Sequence, residues 1–364
     1  QFKATLAPST FSDGVTTLNG KWWVFPEAQP CINAVMYYNK GILKQYGVEV
    51  PKTYSDFVAA CKTINEKSGG QVYGLIDGGT QLNRLDILAR SLCSMAGGKV
   101  APNGKILTVD GKAPYDSSAM VTSLEFLAKL AAEGCLHPDT VSINAPVARE
   151  YFAQGQAAFI CQGMWCIPTW QAAYPELEIG SMKLPVPDGQ QDIYGCQAVE
   201  SSSWMGIYKQ SKHADIAAEY LKCLFSEEYG YQSAQVSSGN SISIVPAIND
   251  KYMTNKAMLE YYKTAESMTR VIPIATKRDE KSYSFYAGVN DVSPSLGAIV
   301  QGVLAGSIAT EKDIKSYLVT LSNDSSKEWK RAADAAGYDY THLDFPNWDL
   351  SKDYTDSDYA ALKK

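Results

Sequence analysis

The chain has no hydrophobic run long enough to cross a bilayer, which takes roughly 20 consecutive apolar residues. Its opening, Gln1-Phe2-Lys3, is not a charged segment followed by an apolar one, so the sequence is expected to be a mature or processed form, or a fragment. Positive charge is not in excess: 33 Lys and Arg stand against 39 Asp and Glu, a net charge of −6. That balance, with no basic patch interleaved with aromatics, argues against nucleic acid and anionic membranes as partners. Histidine is scarce, and His137, His213 and His342 are scattered over expected loops and caps. There is no G-x-S-x-G elbow, no P-loop and no H-E-x-x-H. No pair of carboxylates lies in a recognisable glycosidase context. The glycine pairs Gly69-Gly70 and Gly97-Gly98 follow expected helices and read as C-caps. The eight cysteines (Cys31, Cys61, Cys93, Cys135, Cys161, Cys166, Cys196, Cys223) show no C-x-x-C and no metal spacing. Buried, mostly reduced thiols are expected, with disulfides left open. Tyr37-Tyr38 and Tyr261-Tyr262 lack the convergent oxygen ligands of a hard-metal site. No metal, no cofactor and no enzymatic activity is expected.

What the chain does have is length and aromatic rings. At 364 residues it exceeds one ordinary domain, and a hydrophobic content of 45% supplies real cores, so two lobes are expected. Its 23 Tyr and 7 Trp, beside only 20% charged residues, suit recognition of neutral, flat-faced ligands such as sugars. The plainer alternative is that tyrosines fill half-buried positions.

The densest stretch is Asn19–Phe57. Asn19-Gly20 is a turn dipeptide, and Trp22–Phe25 suits a strand. Pro26 and Pro30 make an extended connector, and Ala34–Tyr38 is a second apolar run. Thr53 with Asp56 reads as a variant capping box opening a helix whose Phe57, Ala60, Cys61 and Ile64 share one face. Further on, a strand is expected at Val72–Ile76 and a helix at Leu82–Met95. A hairpin is expected at Val100–Val109 around Asn103-Gly104, then a helix capped by Asp116. A helix begins near Pro146 and a buried strand covers Ala157–Cys161. Strands at Gly180–Val186 and Trp204–Tyr208 precede a helix capped by Ser211, with Ala217, Tyr220, Leu221 and Leu224 as its apolar stripe. Helices follow at Lys256–Ala265, Ser284–Leu304 (interrupted by Pro294) and Ile314–Ala336. The aromatic, acidic tail from Gly337 is expected to wrap over a surface. Strands alternate with helices throughout, so the class is α/β, with no repeat and no long linker.

The order of pieces in Asn19–Phe57 resembles the extracellular (family 1) carbohydrate-binding proteins of ABC importers, the maltose-binding family. Three further segments are similar to that family's motifs: Tyr151–Ile167 (YFAQGQAAFICQGMWCI), Ser201–Glu228 (SSSWMGIYKQSKHADIAAEYLKCLFSEE) and Leu296–Ile314 (LGAIVQGVLAGSIATEKDI). Phe345–Thr355 (FPNWDLSKDYT) resembles the tail of some Gram-positive members. The resemblance implies an α/β, two-lobed, periplasmic-binding-protein-like (type II) fold with several crossovers. It divides the chain into a first lobe of residues 1–32 and 198–267 and a second of 33–197 and 268–364. The βα units with which the family begins its first lobe are not found here, so that lobe is expected to be incomplete.

The function implied is capture of a carbohydrate, an oligosaccharide by preference, between the lobes, and delivery to the permease subunits of an ABC transporter. The protein would be an extracytoplasmic monomer, either a cell-surface lipoprotein of a Gram-positive bacterium or periplasmic. A non-sugar solute binder, and a glycan-active enzyme or sensor ectodomain, are the alternatives. Trp165 falls where the family places a stacking aromatic; a packing role in a tight turn is the alternative. Glu200, Ser202 and Trp204 lie where the chain would re-enter the first lobe. Glu27 and Gln29 sit in the Pro-bounded connector. Asn83, Arg84 and Asp86 open a helix after Gly78-Gly79 and carry planar polar groups suited to hydroxyls. Phe285 and Tyr286 begin a late helix, with core packing as the competing role for at least one of them.

Overall fold

The computed structural model describes residues 2–26, 28, 29, 32, 35–102, 104–199, 205–227 and 230–362. The strands are β1 (Thr17–Leu18), β2 (Lys21–Trp22), β3 (Val24–Phe25), β4 (Val35–Asn39), β5 (Tyr73–Ile76), β6 (Ala157–Gln162), β7 (Ile179–Met182), β8 (Cys196–Ala198), β9 (Met205–Gly206) and β10 (Thr269–Val271). The helices are α1 (Lys40–Tyr46), α2 (Tyr54–Lys67), α3 (Leu82–Met95), α4 (Ser118–Ala132), α5 (Ala145–Ala153), α6 (Cys166–Ala173), α7 (Ala214–Leu224) and α8 (Tyr231–Ser237). After them come α9 (Pro246–Tyr252), α10 (Lys256–Met268), α11 (Ala275–Arg278), α12 (Ser282–Gly288), α13 (Leu296–Leu304), α14 (Glu311–Ala336) and α15 (Asp356–Ala361).

A four-stranded sheet in the order β5-β6-β4-β7 is the centre of the larger body. β5 and β6 run parallel, with Ile76 beside Ile160, and β4 runs antiparallel to both β6 and β7. Every residue of β6 is buried, as expected of a strand covered on both faces. On one face Phe57 of α2 meets Phe159, with ring centroids 4.6 Å apart. On the other, Tyr37 of β4 packs edge-on to Trp170 of α6 at 5.1 Å and stacks on Tyr261 of α10 at 5.4 Å. Helix α10, which the sequence division assigns to the first lobe, thus rests on this sheet.

Local chemistry sets the element ends. Thr53 and Asp56 form the capping box reciprocally at the start of α2. Gly97 (φ +84°) closes α3, with the Gly98 N–H donating to the Cys93 carbonyl. Asn19 and Gly20 both take positive φ, the geometry of a type I′ turn, and join β1 to β2.

Outside the sheet lies a smaller group: the β1–β2 hairpin, the antiparallel ribbon β3–β9, and helices α7 to α9. Phe25 of β3 stacks on Phe225 at 4.8 Å and ties α7 to the ribbon. The pair β8–β10, parallel, runs alongside α3.

Several expectations fail for visible reasons. Val100–Val109 is no hairpin among the described residues: Thr108 bridges Asp344 of the tail and Val109 bridges Lys112. Ser117 caps α4, because its hydroxyl accepts from the Met120 N–H while Asp116 accepts from Ser322. His213 precedes α7 without a side-chain cap, and the Ser211 hydroxyl accepts the His213 N–H. Tyr220 is 59% exposed and is no part of the buried stripe Leu221–Leu224. The tail builds a second small core: Phe345, Trp348, Tyr354 and Tyr359 enclose Ile272 and Ile274.

Helix α13 crosses the start of α3 so closely that a Cβ on Gly297 would sit 2.1 Å from the Leu82 carbonyl oxygen. Gly297→Val is therefore expected to cost about 1–3 kcal/mol through backbone displacement, read as a lowered urea midpoint. Thr53→Ala, which removes only a cap, is expected to cost about 1 kcal/mol in the same assay; a Gly297→Val loss no larger than the error would refute the close crossing.

Candidate functional site

The parallel strands β5 and β6 end side by side, and polar side chains collect there. Open α/β sheets leave room for ligands at the carboxyl ends of such strands. β5 runs into Asp77, which is buried, then into Gly78 and Gly79. Asp77 Oδ1 accepts the Gly78 N–H at 2.7 Å and faces Arg84 Nε at 3.5 Å. Arg84, on the first turn of α3, donates from Nη2 to the Cys161 carbonyl at 2.6 Å, so one guanidinium spans both strand ends. Burial pushes the Asp77 carboxyl above its ordinary range, against the opposite pull of Arg84 and the Gly78 N–H. Burial likewise lifts the Cys161 thiol to about 12, which makes it an inert hydrophobe here.

β6 ends at Gln162, buried, and the chain turns at Gly163. The Gly163 carbonyl accepts from the Tyr37 hydroxyl at 3.0 Å. The Trp165 ring folds back over Gly163, where a Cβ would lie 2.2 Å from the indole, so only glycine fits. Trp165 itself is half-buried and precedes α6. Three polar atoms of the cluster, Asp77 Oδ2, Arg84 Nε and Gln162 Nε2, are buried with no hydrogen-bond partner among the described residues. Other such atoms are scattered through the described residues, among them Thr10 Oγ1 and Gln232 Oε1, but here three gather at the ends of two adjacent strands. A groove of about 290 Å³ between α5 and α6, lined by Arg149, Glu150, Cys166, Thr169 and Trp170, borders the cluster through Cys166.

The residues proposed from sequence are distributed as follows. Arg84 and Trp165 fall in this cluster. Asn83 is exposed on the same turn as Arg84. Asp86 is buried and paired with Arg90 at 2.7 Å, and Arg90 also donates to the Tyr115 hydroxyl and the Ala101 carbonyl. Gln29 is half-buried and donates from Nε2 to the Ser243 carbonyl at 2.9 Å. Phe285 is wholly buried and stacks on Tyr338 at 5.3 Å. The Tyr286 hydroxyl donates to the Ile106 carbonyl, and burial lifts its pKa to about 12. Both rings sit in core contacts. Glu27, Glu200, Ser202 and Trp204 lie outside the described residues.

Residues 5–231 match the family described as bacterial extracellular solute-binding protein. The chain belongs to that family. The melibiose/raffinose/stachyose-binding protein of Bacillus subtilis is 24% identical over 60% of this chain and 50% of that protein. The multiple sugar-binding protein of Streptococcus mutans is 26% identical over 51% of this chain and 44% of that protein. This chain thus spans about half the length of these relatives. Among solved structures, the GacH receptor of Streptomyces glaucescens, known unliganded and with acarbose, superposes with a TM-score of 0.65 at 18% identity. The match covers 92% of this chain and 76% of that one. The fold of the family member described here is therefore the two-lobed type II binding-protein fold, and its matched relatives are binding proteins.

The sequence reading missed Asp77 and Gln162. Their signal was available: a carboxylate directly after a buried strand and before Gly-Gly, and an amide closing an otherwise apolar strand.

Arg84→Ala removes the charge that draws the Asp77 pKa down, so the folded-state value rises further above the unfolded value of roughly 3.9. Below that pH the carboxyl is protonated in both states and little is lost. As pH rises through the folded value, the variant must bury an unpaired carboxylate. The expected loss is about 3 kcal/mol at pH 7, shrinking toward pH 4, by urea unfolding at the two pH values. Equal losses at both would show that Arg84 acts through packing alone.

Proposed function

We propose that the protein is an extracytoplasmic solute-binding protein that takes up a carbohydrate, an oligosaccharide, in the cleft between its lobes and passes it unaltered to the permease subunits of an ABC importer. The observation that carries this reading is the set of unpartnered polar atoms, Asp77 Oδ2, Arg84 Nε and Gln162 Nε2, in the cluster that also holds the Trp165 indole. Sugars need that combination: an aromatic plane for the C–H face of the ring and planar polar groups for its hydroxyls. The relatives, a melibiose/raffinose/stachyose-binding protein and a multiple sugar-binding protein, support the same ligand class.

In this reading residues 1–32 and 198 to 255 form the first lobe, and 33–197 with 256–364 the second. α10 is counted with the second because Tyr261 stacks on Tyr37. The protein works as a monomer outside the cytoplasmic membrane, as a cell-surface lipoprotein of a Gram-positive bacterium or in the periplasm. Ligand closes the lobes because the closed state alone offers contacts from both, and only such differential contact shifts the equilibrium.

Titration calorimetry against melibiose, raffinose, stachyose and maltotriose tests the reading. At least one is expected to bind, and Trp165→Ala to weaken it by tenfold or more, about 1.4 kcal/mol. Unchanged affinity removes Trp165 from the site, and silence with every sugar overturns the carbohydrate reading.

A further inference from the structure

Two cysteines of the larger body face each other. Cys61 lies on the inner face of α2 and Cys135 just past the end of α4; both are fully buried, and both are free thiols. Their side chains are hydrogen-bonded to one another. The backbone holds them there. Gly134 takes φ +65°, its N–H donates to the Ala131 carbonyl and the Cys135 N–H to the Leu130 carbonyl, the paired closure of a Schellman turn. The Cys135 carbonyl then accepts the Gly74 and Leu75 N–H groups of β5, each at 3.0 Å. A Cβ on Gly74 would lie 2.2 Å from Cys61 Sγ and 3.0 Å from the Cys135 carbonyl oxygen, so this glycine leaves the room that both cysteines use. Cys135 Sγ also lies 4.0 Å from the Val58 carbonyl, one turn before Cys61 in α2. An ion pair of 2.5 Å between Lys62 and Glu133 clasps the same two elements. Other thiols turn to oxygen instead: Cys166 to the Gln162 side chain, Cys196 to the Ser91 carbonyl and Cys93 to the Ser117 hydroxyl.

We propose that Cys61 and Cys135 close into a disulfide that ties α2 to the end of α4. Only a short approach of the sulfurs is needed, from hydrogen-bonding contact to about 2 Å. The oxidant is a donor disulfide met outside the cytoplasm, so the inference rests on the extracytoplasmic reading for its surroundings. Burial lifts the Cys61 thiol well above its ordinary value, and the hydrogen bond from Cys61 draws the Cys135 thiol down, which makes Cys135 the attacking sulfur. The Cys135 thiolate attacks one sulfur of the donor, forms a mixed disulfide and releases one donor thiolate. Cys61 then gives up its proton and attacks Cys135 Sγ, expelling the second donor thiolate. The two cysteines lose two electrons, the donor disulfide gains them, and the two cysteine protons end on the two donor thiols. Both sulfurs are covered in the folded chain, so the exchange takes place before α2 settles on β5 or when it opens locally. The cross-link restricts the unfolded chain and braces β5, which leads into Asp77.

Peptide mapping under non-reducing conditions tests the proposal, on the chain refolded in a buffer of reduced and oxidised glutathione. A peptide pair joining Cys61 to Cys135 is expected, lost on reduction, with an intact mass lower by about 2 Da than that of the reduced chain. Reductant is expected to lower the melting temperature of the oxidised protein by several degrees. The melting temperature of Cys61→Ser is expected not to respond to reductant. If that variant does not fold, the map of the unsubstituted chain decides alone. Cys61 and Cys135 both alkylated without prior reduction, or joined to other cysteines, overturn the proposal, as does a melting temperature that reductant leaves unchanged. A bond that forms in the buffer while the protein taken from its source cells has both thiols reduced supports the pairing and counts against the extracytoplasmic reading alone. Calorimetry with the sugars above separates the two ideas further: a disulfide without sugar binding leaves this inference standing and removes only the carbohydrate reading.

Discussion

The hydrogen bond from the Tyr37 hydroxyl to the Gly163 carbonyl, 3.0 Å long and fully buried, is the constraint on which the candidate site depends. Tyr37 belongs to β4, which the sheet grips from both sides, and its ring is walled by Trp170 and Tyr261. Burial holds its phenol pKa well above the ordinary value, so the hydroxyl stays a donor. The donor is thus fixed in position, and it fixes the one turn that swings the chain from β6 into α6. Trp165 takes its orientation from that turn, over a glycine that leaves room for the ring. β4 therefore sets, through Gly163, the orientation of the Trp165 ring.

The electrostatics follow the same plan. A buried carboxylate is costly unless paired and hydrogen-bonded. Asp77 has one oxygen satisfied by the Gly78 N–H, with the Arg84 charge 3.5 Å away, and one left over. Arg84 is held in turn by the Cys161 carbonyl, so the guanidinium cannot swing to the spare oxygen without leaving the second strand. The result is a preorganised acceptor with a preorganised amide, Gln162, on the neighbouring strand. Uncharged hydroxyls, which donate and accept, complement that pair better than an ion would. The buried thiols Cys161 and Cys166 add an apolar lining with their pKa raised by burial.

Much of the larger body was legible in the sequence because its signals are local. The capping box Thr53–Asp56, the helix Leu82–Met95 with its glycine closure and the buried strand that begins at Ala157 each follow from a few neighbouring residues. What failed was set by distant contacts. Val100–Val109 has hairpin chemistry at Gly104, yet the tail supplies Thr108 with its partner at Asp344. The tail could not be recognised as core-forming because the residues it encloses, Ile272 and Ile274, lie far back in the chain. In the cluster at the strand ends, Trp165 and Arg84 are the two residues that a motif and side-chain chemistry single out in the sequence. Asp77 was passed over because a carboxylate at a strand end reads as a turn residue until the strand beside it is known. Asp86 shows the reverse: its planar carboxylate suits hydroxyls, but Arg90 one turn on takes it inward.

The central claim is that an oligosaccharide lies against the Trp165 ring with its hydroxyls on Asp77, Arg84 and Gln162. A crystal structure of the protein grown with the tightest-binding sugar of the melibiose–raffinose–stachyose series tests it directly. The account predicts a sugar ring in van der Waals contact with the indole and a hydroxyl within hydrogen-bonding distance of Asp77 Oδ2 or Gln162 Nε2. A sugar bound elsewhere, with both of those atoms still unpartnered, would contradict it.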